Sequence, residues 1–193
     1  QQVMDIFIIP EIKKRNEKTP FILSGAQVIF SLIDGKNTVR LNSEIKAIAT
    51  AKLNASKIKG EPIYNHEIEN IENIVLTEED KNSAHITFVL IKDKWFFSFD
   101  FRYNKDLAKE HIKASEEFYE SAKNNLENNR LRPFFEDAFA SAELSAKSIL
   151  LLLPDKEILK EKGHLAHKNR VEKFSKWADL GNVKVDYSTT LSK

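Results

Sequence analysis

The chain of 193 residues has no cysteine. Disulfides, thiolate zinc sites and cysteine nucleophiles are excluded together, and the composition fits a reducing compartment, so a cytoplasmic location is expected. Only five glycines are present, and none forms a phosphate-binding loop, a dinucleotide fingerprint or a G-x-S-x-G elbow. No cofactor is expected. No apolar run approaches the roughly 20 residues of a membrane span. The start QQVMDIFIIPEIKKR carries its charges after its apolar residues, the reverse of a secretion signal. The expectation is a protein without membrane contact. An excess of one charge is also missing, with 30 Lys and Arg against 29 Asp and Glu. Residues 1–104 hold 14 of each sign and the remainder 16 basic against 15 acidic. Neither half has the broad basic surface of a protein that binds nucleic acid mainly through phosphates, so such a contact has to use a local patch.

Up to Asn104 the patterns are those of strands. Val3 to Ile9 is β-branched and aromatic and predicts a short first strand that ends at Pro10. Phe21-Ile22-Leu23 and Gln27 to Ile33 predict strands around Ser24-Gly25, and Asp34-Gly35-Lys36-Asn37 predicts the turn that leads into Thr38 to Leu41 as a β-hairpin. Ser43 to Lys59 fits two periods, of which the alternation Ile45, Ala47, Ala49, Ala51, Leu53 favours a strand. Gly60 to Asn73 reads as a polar surface crossing. Glu67, Glu69, Glu72, Glu78, Glu79 and Asp80 lack the spacing of a cation-binding loop and read as solvated acids. Ala84 to Ile91 and Lys94 to Tyr103 predict a second hairpin that turns at Lys92-Asp93. Trp95, Phe97, Phe99, Phe101 and Tyr103 then share a face expected to be core or a docking surface for helices. Asp100 and Arg102 share the other face near His85, where an ordinary ion pair on the sheet's outer face is expected ahead of a polar site facing the helices.

After Asn104 the period becomes helical. Leu107 or Ala108, His111, Ser115, Phe118, Ala122 and Leu126 mark a first helix of about five turns, closed by Asn124 to Arg130. His111 in that stripe reads as a satisfied core histidine. Arg132 to Leu153, RPFFEDAFASAELSAKSILLLL, predicts the central helix, with Phe135, Ala138, Phe139, Ala142, Ala146, Ile149, Leu150 and Leu153 on one stripe. Pro133 suits its first turn and Pro154 stops it. The two helices form a hairpin that the small residues Ala138, Ser141, Ala142, Ser145 and Ala146 let close tightly. Lys156 to Gly163 reads as a charged connection. His167, Val171, Phe174 and Trp177 or Ala178 define a third helix that stops near Gly181, and Ser188-Thr189-Thr190-Leu191 starts a fourth.

The most suggestive polar cluster lies on that third helix. Residues 156–177 hold seven Lys or Arg against three Glu, and His164, His167, Lys168, Arg170 and Lys173 are the candidates for contacting nucleic acid or a partner. A solvated basic face is the competing and stronger reading. No carboxylate or further histidine stands at ligand spacing from His164 and His167, so no metal is expected. No residue is assigned a catalytic role.

The order of features in residues 105–193 resembles a HEPN domain. The likeness rests on the long first helix, the second helix FFEDAFASAELSAKSILLLL with Glu143 and Lys147 ahead of its aliphatic end, the connection HLAHKNRVEKFSKWADLG, and the last helix starting at Ser188. The family implies an up-and-down helical bundle, frequent homodimers, and roles in RNA cleavage, toxin–antitoxin and defence systems, or non-catalytic binding. Its nucleases depend on Arg followed four to six positions later by His. No arginine of this chain, Arg15, Arg40, Arg102, Arg130, Arg132 or Arg170, precedes a histidine at that spacing. The expected fold is therefore α+β, a mainly antiparallel β domain over residues 1–104 followed by a HEPN-like bundle over 105–193. The expected function is a non-catalytic interaction protein, a homodimer through its helices, in a nucleic-acid-related or defence setting. One alternative is a metal-independent ribonuclease whose Arg and His fall beyond Lys193. Another is a β domain that binds a small ligand or a peptide, with the helices as a dimerisation element.

Overall fold

The computed structural model describes residues 1–15, 22–32, 35–160 and 164–182, with 164–166 described in the main chain only. The chain folds as two compact units, Gln1–Phe101 and Arg102–Lys193. Antiparallel sheets make up most of the first and helices the second.

In the first unit, strands β1 (Gly25–Phe30), β2 (Asn37–Leu41), β5 (Ala84–Ile91) and β6 (Lys94–Asp100) form one sheet in the order β2-β1-β5-β6. Every neighbouring pair is antiparallel. Both expected hairpins are present. The second turns at Lys92 and Asp93, with φ of 49° and 61°, the positive pair that lets a two-residue connection follow the strand twist. Asp34 lies outside the described residues, and Gly35 beside it has φ 67°. The ambiguous stretch is a strand, β3 (Ala47–Leu53), paired with β4 (Ile68–Leu76) in a separate two-stranded sheet. Ile68 to Asn73 is therefore strand and not surface crossing.

Val3 to Ile9 is not a strand. A π-helical segment, Met4–Ile8, runs on as α1 (Ile9–Arg15). Val3, Met4, Phe7, Ile8 and Ile12 recur at helical steps and pack on Ala26, Val28 and Leu41 of the sheet, with Ile8 fully buried. The wider turn lies just ahead of Pro10, which cannot donate the regular helical bond. Of the predicted strand at residues 21–23, Phe21 lies outside the described residues. Ile22 and Leu23 form no strand, and Ile22 is exposed. Asn42 holds this segment instead: its Oδ1 accepts from the N–H groups of Ser24 (2.8 Å) and Gly25 (3.2 Å), and its Nδ2 donates to the Ile22 carbonyl (2.8 Å).

In the second unit, α2 (Lys105–Glu127) and α3 (Leu131–Leu151) form the expected hairpin, with residues 128–130 as the link. Asn129 at φ 56° makes the turn between them. Ser115 and Ser141 exchange hydroxyl-to-carbonyl bonds of 2.8 and 2.9 Å, and Ser115 Oγ lies 2.6 Å from Ser145 Oγ. Small hydroxyl side chains thus bring the two helices close without leaving a buried polar group unpaired. The charged connection contains a further turn, α4 (Glu157–Lys160), because Ile158 is buried with Ala108, Ala146, Leu150, Leu151 and Phe174. Each of the large side chains in that cluster contributes about 1.5–3 kcal/mol by leaving water.

The third predicted helix is α5 (His164–Asp179), ended by Gly181 at φ 76°. It lies along α3 in the same general direction, since His167 meets Phe139 and Glu143 while Lys173 meets Asp155. The alternation of an up-and-down bundle therefore holds for α2 and α3 but not between α3 and α5, because the chain turns back through α4. The predicted start of a fourth helix at Ser188 lies outside the described residues.

Candidate functional site

α5 packs its apolar side, Val171 and Phe174, on the α3 cluster, which fixes where its polar residues point. Arg170 donates through Nη2 to Oε1 of Glu143 on α3, and His167 Nδ1 lies 3.5 Å from the same oxygen. The His167 ring rests on Phe139 with centroids 5.4 Å apart. The Arg170 and Glu143 side chains are 13 and 27% exposed, so this is a largely desolvated ion pair. Burial pulls the Arg170 guanidinium below the usual arginine value.

Further along, Lys173 bonds Asp155 at 2.8 Å. Burial pushes the Asp155 carboxyl up, but the Lys173 ammonium and the N–H groups of Glu157 and Ile158 outweigh it and hold it below the ordinary aspartate value. Lys168 is exposed and 4.0 Å from Glu172. His164 opens α5, and its side chain lies outside the described residues. Of the five candidates, Arg170 and His167 are gathered on Glu143 and Lys173 is engaged by Asp155, while Lys168 stands apart. A guanidinium held by an internal carboxylate fixes helix to helix and has little charge left for a phosphate.

Two further sites lie in the first unit. Between its sheets, Gln27 Nε2 donates to the Lys46 carbonyl (3.0 Å) and to Thr87 Oγ1 (3.3 Å), and Gln27 Oε1 accepts from Arg40 (3.2 Å). Arg40 also bonds Asp80 at 2.6 Å, and His85 Nδ1 lies 2.9 Å from Thr87 Oγ1. Gln27 and Thr87 are fully enclosed and His85 nearly so, so no substrate reaches Thr87 as a nucleophile; the network satisfies buried polar groups. His85 stands opposite Asp100 in the ladder as expected, but this face is not the sheet's outer one: His85 is buried and Ser98, two residues from Asp100, bonds the Ile74 carbonyl of β4.

On the other face of the same sheet, Phe88, Phe97, Phe99 and Phe101 form a row with successive centroids 5.5, 5.2 and 5.6 Å apart. With Val3, Met4 and Ile86 they line an open groove of about 440 Å³. Phe97 and Phe99 remain more than half exposed. Within this unit the face expected to be core or a docking surface for helices is thus only partly covered, because the N-terminal helix lies over β1 and β2.

Of the acidic residues from Glu67 to Asp80, Glu67, Glu69, Glu78, Glu79 and Asp80 are each met by a cation. Glu67 bonds Lys57 (2.7 Å), Glu69 bonds Lys52 (3.0 Å) and Glu79 bonds Lys46 (2.7 Å). Among the described residues no group of His, Asp or Glu is arranged to hold a metal ion, and no described helix is long and apolar enough to cross a membrane. His111 is half-buried, with Nδ1 2.9 Å from the Leu107 carbonyl. Compared with known proteins, the chain matches no family model, no curated protein and no solved structure.

Proposed function

We propose that the protein is a non-catalytic interaction protein whose HEPN-like helical unit associates with a second copy of itself, in a nucleic-acid-related or defence setting. The observation that carries this reading is the row Leu131, Phe135 and Phe139 on α3, 57, 65 and 45% exposed and one turn apart. The row continues the stripe that Ala142, Ala146 and Leu150 bury further along the helix. Tyr119 and Leu126 on α2 are exposed as well. Contiguous apolar surface of this kind marks an interaction site, and a two-fold contact covers the same patch on both partners. Charges of both signs flank the row, with Arg132 bonded to Glu136 and Lys123 to Glu120, so two copies meet without like-charge conflict. Light scattering on Phe135→Glu tests it. A lower mass than the parent protein, with unchanged helical circular dichroism, supports the contact, and an unchanged mass overturns it.

A further inference from the structure

β6 is an edge strand of the four-stranded sheet, and the hairpin before it fixes which of its main-chain groups face outward. A two-residue turn makes Ile91 and Lys94 a hydrogen-bonded pair. Lys94, Phe96, Ser98 and Asp100 therefore bond to β5, and Trp95, Phe97 and Phe99 turn their N–H and C=O groups to the outside. The ladder runs from His85↔Asp100 to Ile91↔Lys94 without a bulge, and the strand has no proline. Two of the devices that blunt an exposed edge, a bulge and a proline, are thus absent from β6, and its charges stand only at its two ends. β4 lies against the opposite face, where Ser98 Oγ donates to the Ile74 carbonyl (3.0 Å).

We infer that this edge pairs with the same edge of a second copy, antiparallel about a two-fold axis at Phe97. Outward residues can bond only to outward residues, and this alignment uses all three on both strands: Trp95 against Phe99, Phe97 against Phe97, Phe99 against Trp95. The same alignment sets Lys94 against Asp100 twice, once on each side of the axis, so the charges at the two ends of the strand are complementary when it meets itself. The product is a continuous sheet built from two four-stranded ones. It also places the two Phe97 rings side by side and joins the aromatic grooves of the two copies into one. This contact is separate from the helical association and does not rest on it. A chain with both makes assemblies larger than a dimer.

The absence of cysteine gives a register-specific test. Phe97→Cys introduces a single thiol, and the alignment brings two such residues to a Cα separation of about 5.5 Å, within the roughly 4.4–6.8 Å that a disulfide spans. Trp95→Cys is the control: its two copies lie four residues apart along opposed strands, about 14 Å at 3.4 Å per residue. Both side chains are half exposed or more, so neither substitution opens the core. Incubation with oxidised glutathione is expected to convert Phe97→Cys to a linked dimer on a non-reducing gel and to leave Trp95→Cys unlinked. Failure of Phe97→Cys to link, or equal linking of the two, overturns the proposal. Lys94→Glu added to Phe97→Cys sets Glu against Asp and is expected to slow the linking; an unchanged rate overturns the register. Phe135→Glu added to Phe97→Cys leaves the link in place, which separates failure of this contact from failure of the helical one.

Discussion

The Glu143–Arg170 pair offers the sharpest test of how α5 is held. Glu143→Ala leaves the Arg170 guanidinium, 13% exposed, without the carboxylate it bonds. Removing one member of a fully buried pair costs about 3–5 kcal/mol, and an exposed pair is worth about 1 or less. With Glu143 27% exposed, water screens part of the charge, and the expected loss is about 2–3 kcal/mol. The loss comes mainly from stranding the cation and not from losing the attraction. Glu143→Leu combined with Arg170→Met, which removes both charges at similar volume, is therefore expected to return to within about 1 kcal/mol of the parent. Urea unfolding followed by Trp177 fluorescence on α5, in a Trp95→Phe background that removes the other tryptophan, reads the helical unit alone. A Glu143→Ala loss under about 0.5 kcal/mol would show that the pair is no better than a surface one. A double variant as unstable as the single would show that stranded charge is not the cause.

Three other outcomes follow from the same structure. Leu150→Ala, at a fully buried position of the helical core, is expected to cost about 3 kcal/mol in urea unfolding; under 1 would mean that the cluster is not packed as described. Replacing Lys92-Asp93, both at positive φ, by Asn-Gly relieves two left-handed residues and is expected to raise the melting temperature of the first unit, with no rise counting against the turn geometry. The depressed Asp155 carboxyl contributes stability above its unfolded value near pH 4, and that contribution is lost as pH falls through its lower folded value. The parent protein should thus exceed Asp155→Asn in stability at pH 7, with the gap closing as the pH falls below the ordinary aspartate value; a gap that stays constant with pH refutes the ion-pair account.

The elements legible in the sequence are those whose period and punctuation agree. The β5–β6 hairpin combines two strongly β-prone runs with a two-residue turn, and α2 and α3 combine a 3.6-residue stripe with asparagine and proline at their ends. β4 was illegible because its isoleucines at 68, 71 and 74 recur every three residues. The structure explains the interval: the ladder slips between Thr50/Ala51 and Lys52/Leu53, so Glu72 and Glu69 are extra residues on β4 that push the next isoleucine one place on. The N-terminal helix was hidden for a different reason. Val3 to Ile9 has strand-forming composition, but its spacing buries Ile8 and Phe7 together only as a helix, and tertiary burial outweighed local preference.

For the candidate site, the sequence supplied the residues and not their direction. The basic run on α5 reads as an outward face until Glu143, a single acid set among small residues of α3, turns Arg170 and His167 inward. The buried network of Gln27, Arg40, Asp80 and Thr87 left no trace, because its members lie up to 60 residues apart and meet only when β1, β2 and β5 pair.

The central claim is that the exposed row on α3 is where two copies meet. Light scattering of the parent protein beside Phe135→Glu, at tens of micromolar, addresses it most directly. The parent protein is expected to have a mass of at least twice the 22.2 kDa chain, and the variant a clearly lower one. A parent protein that is monomeric, or a variant with the parent's mass, would contradict it.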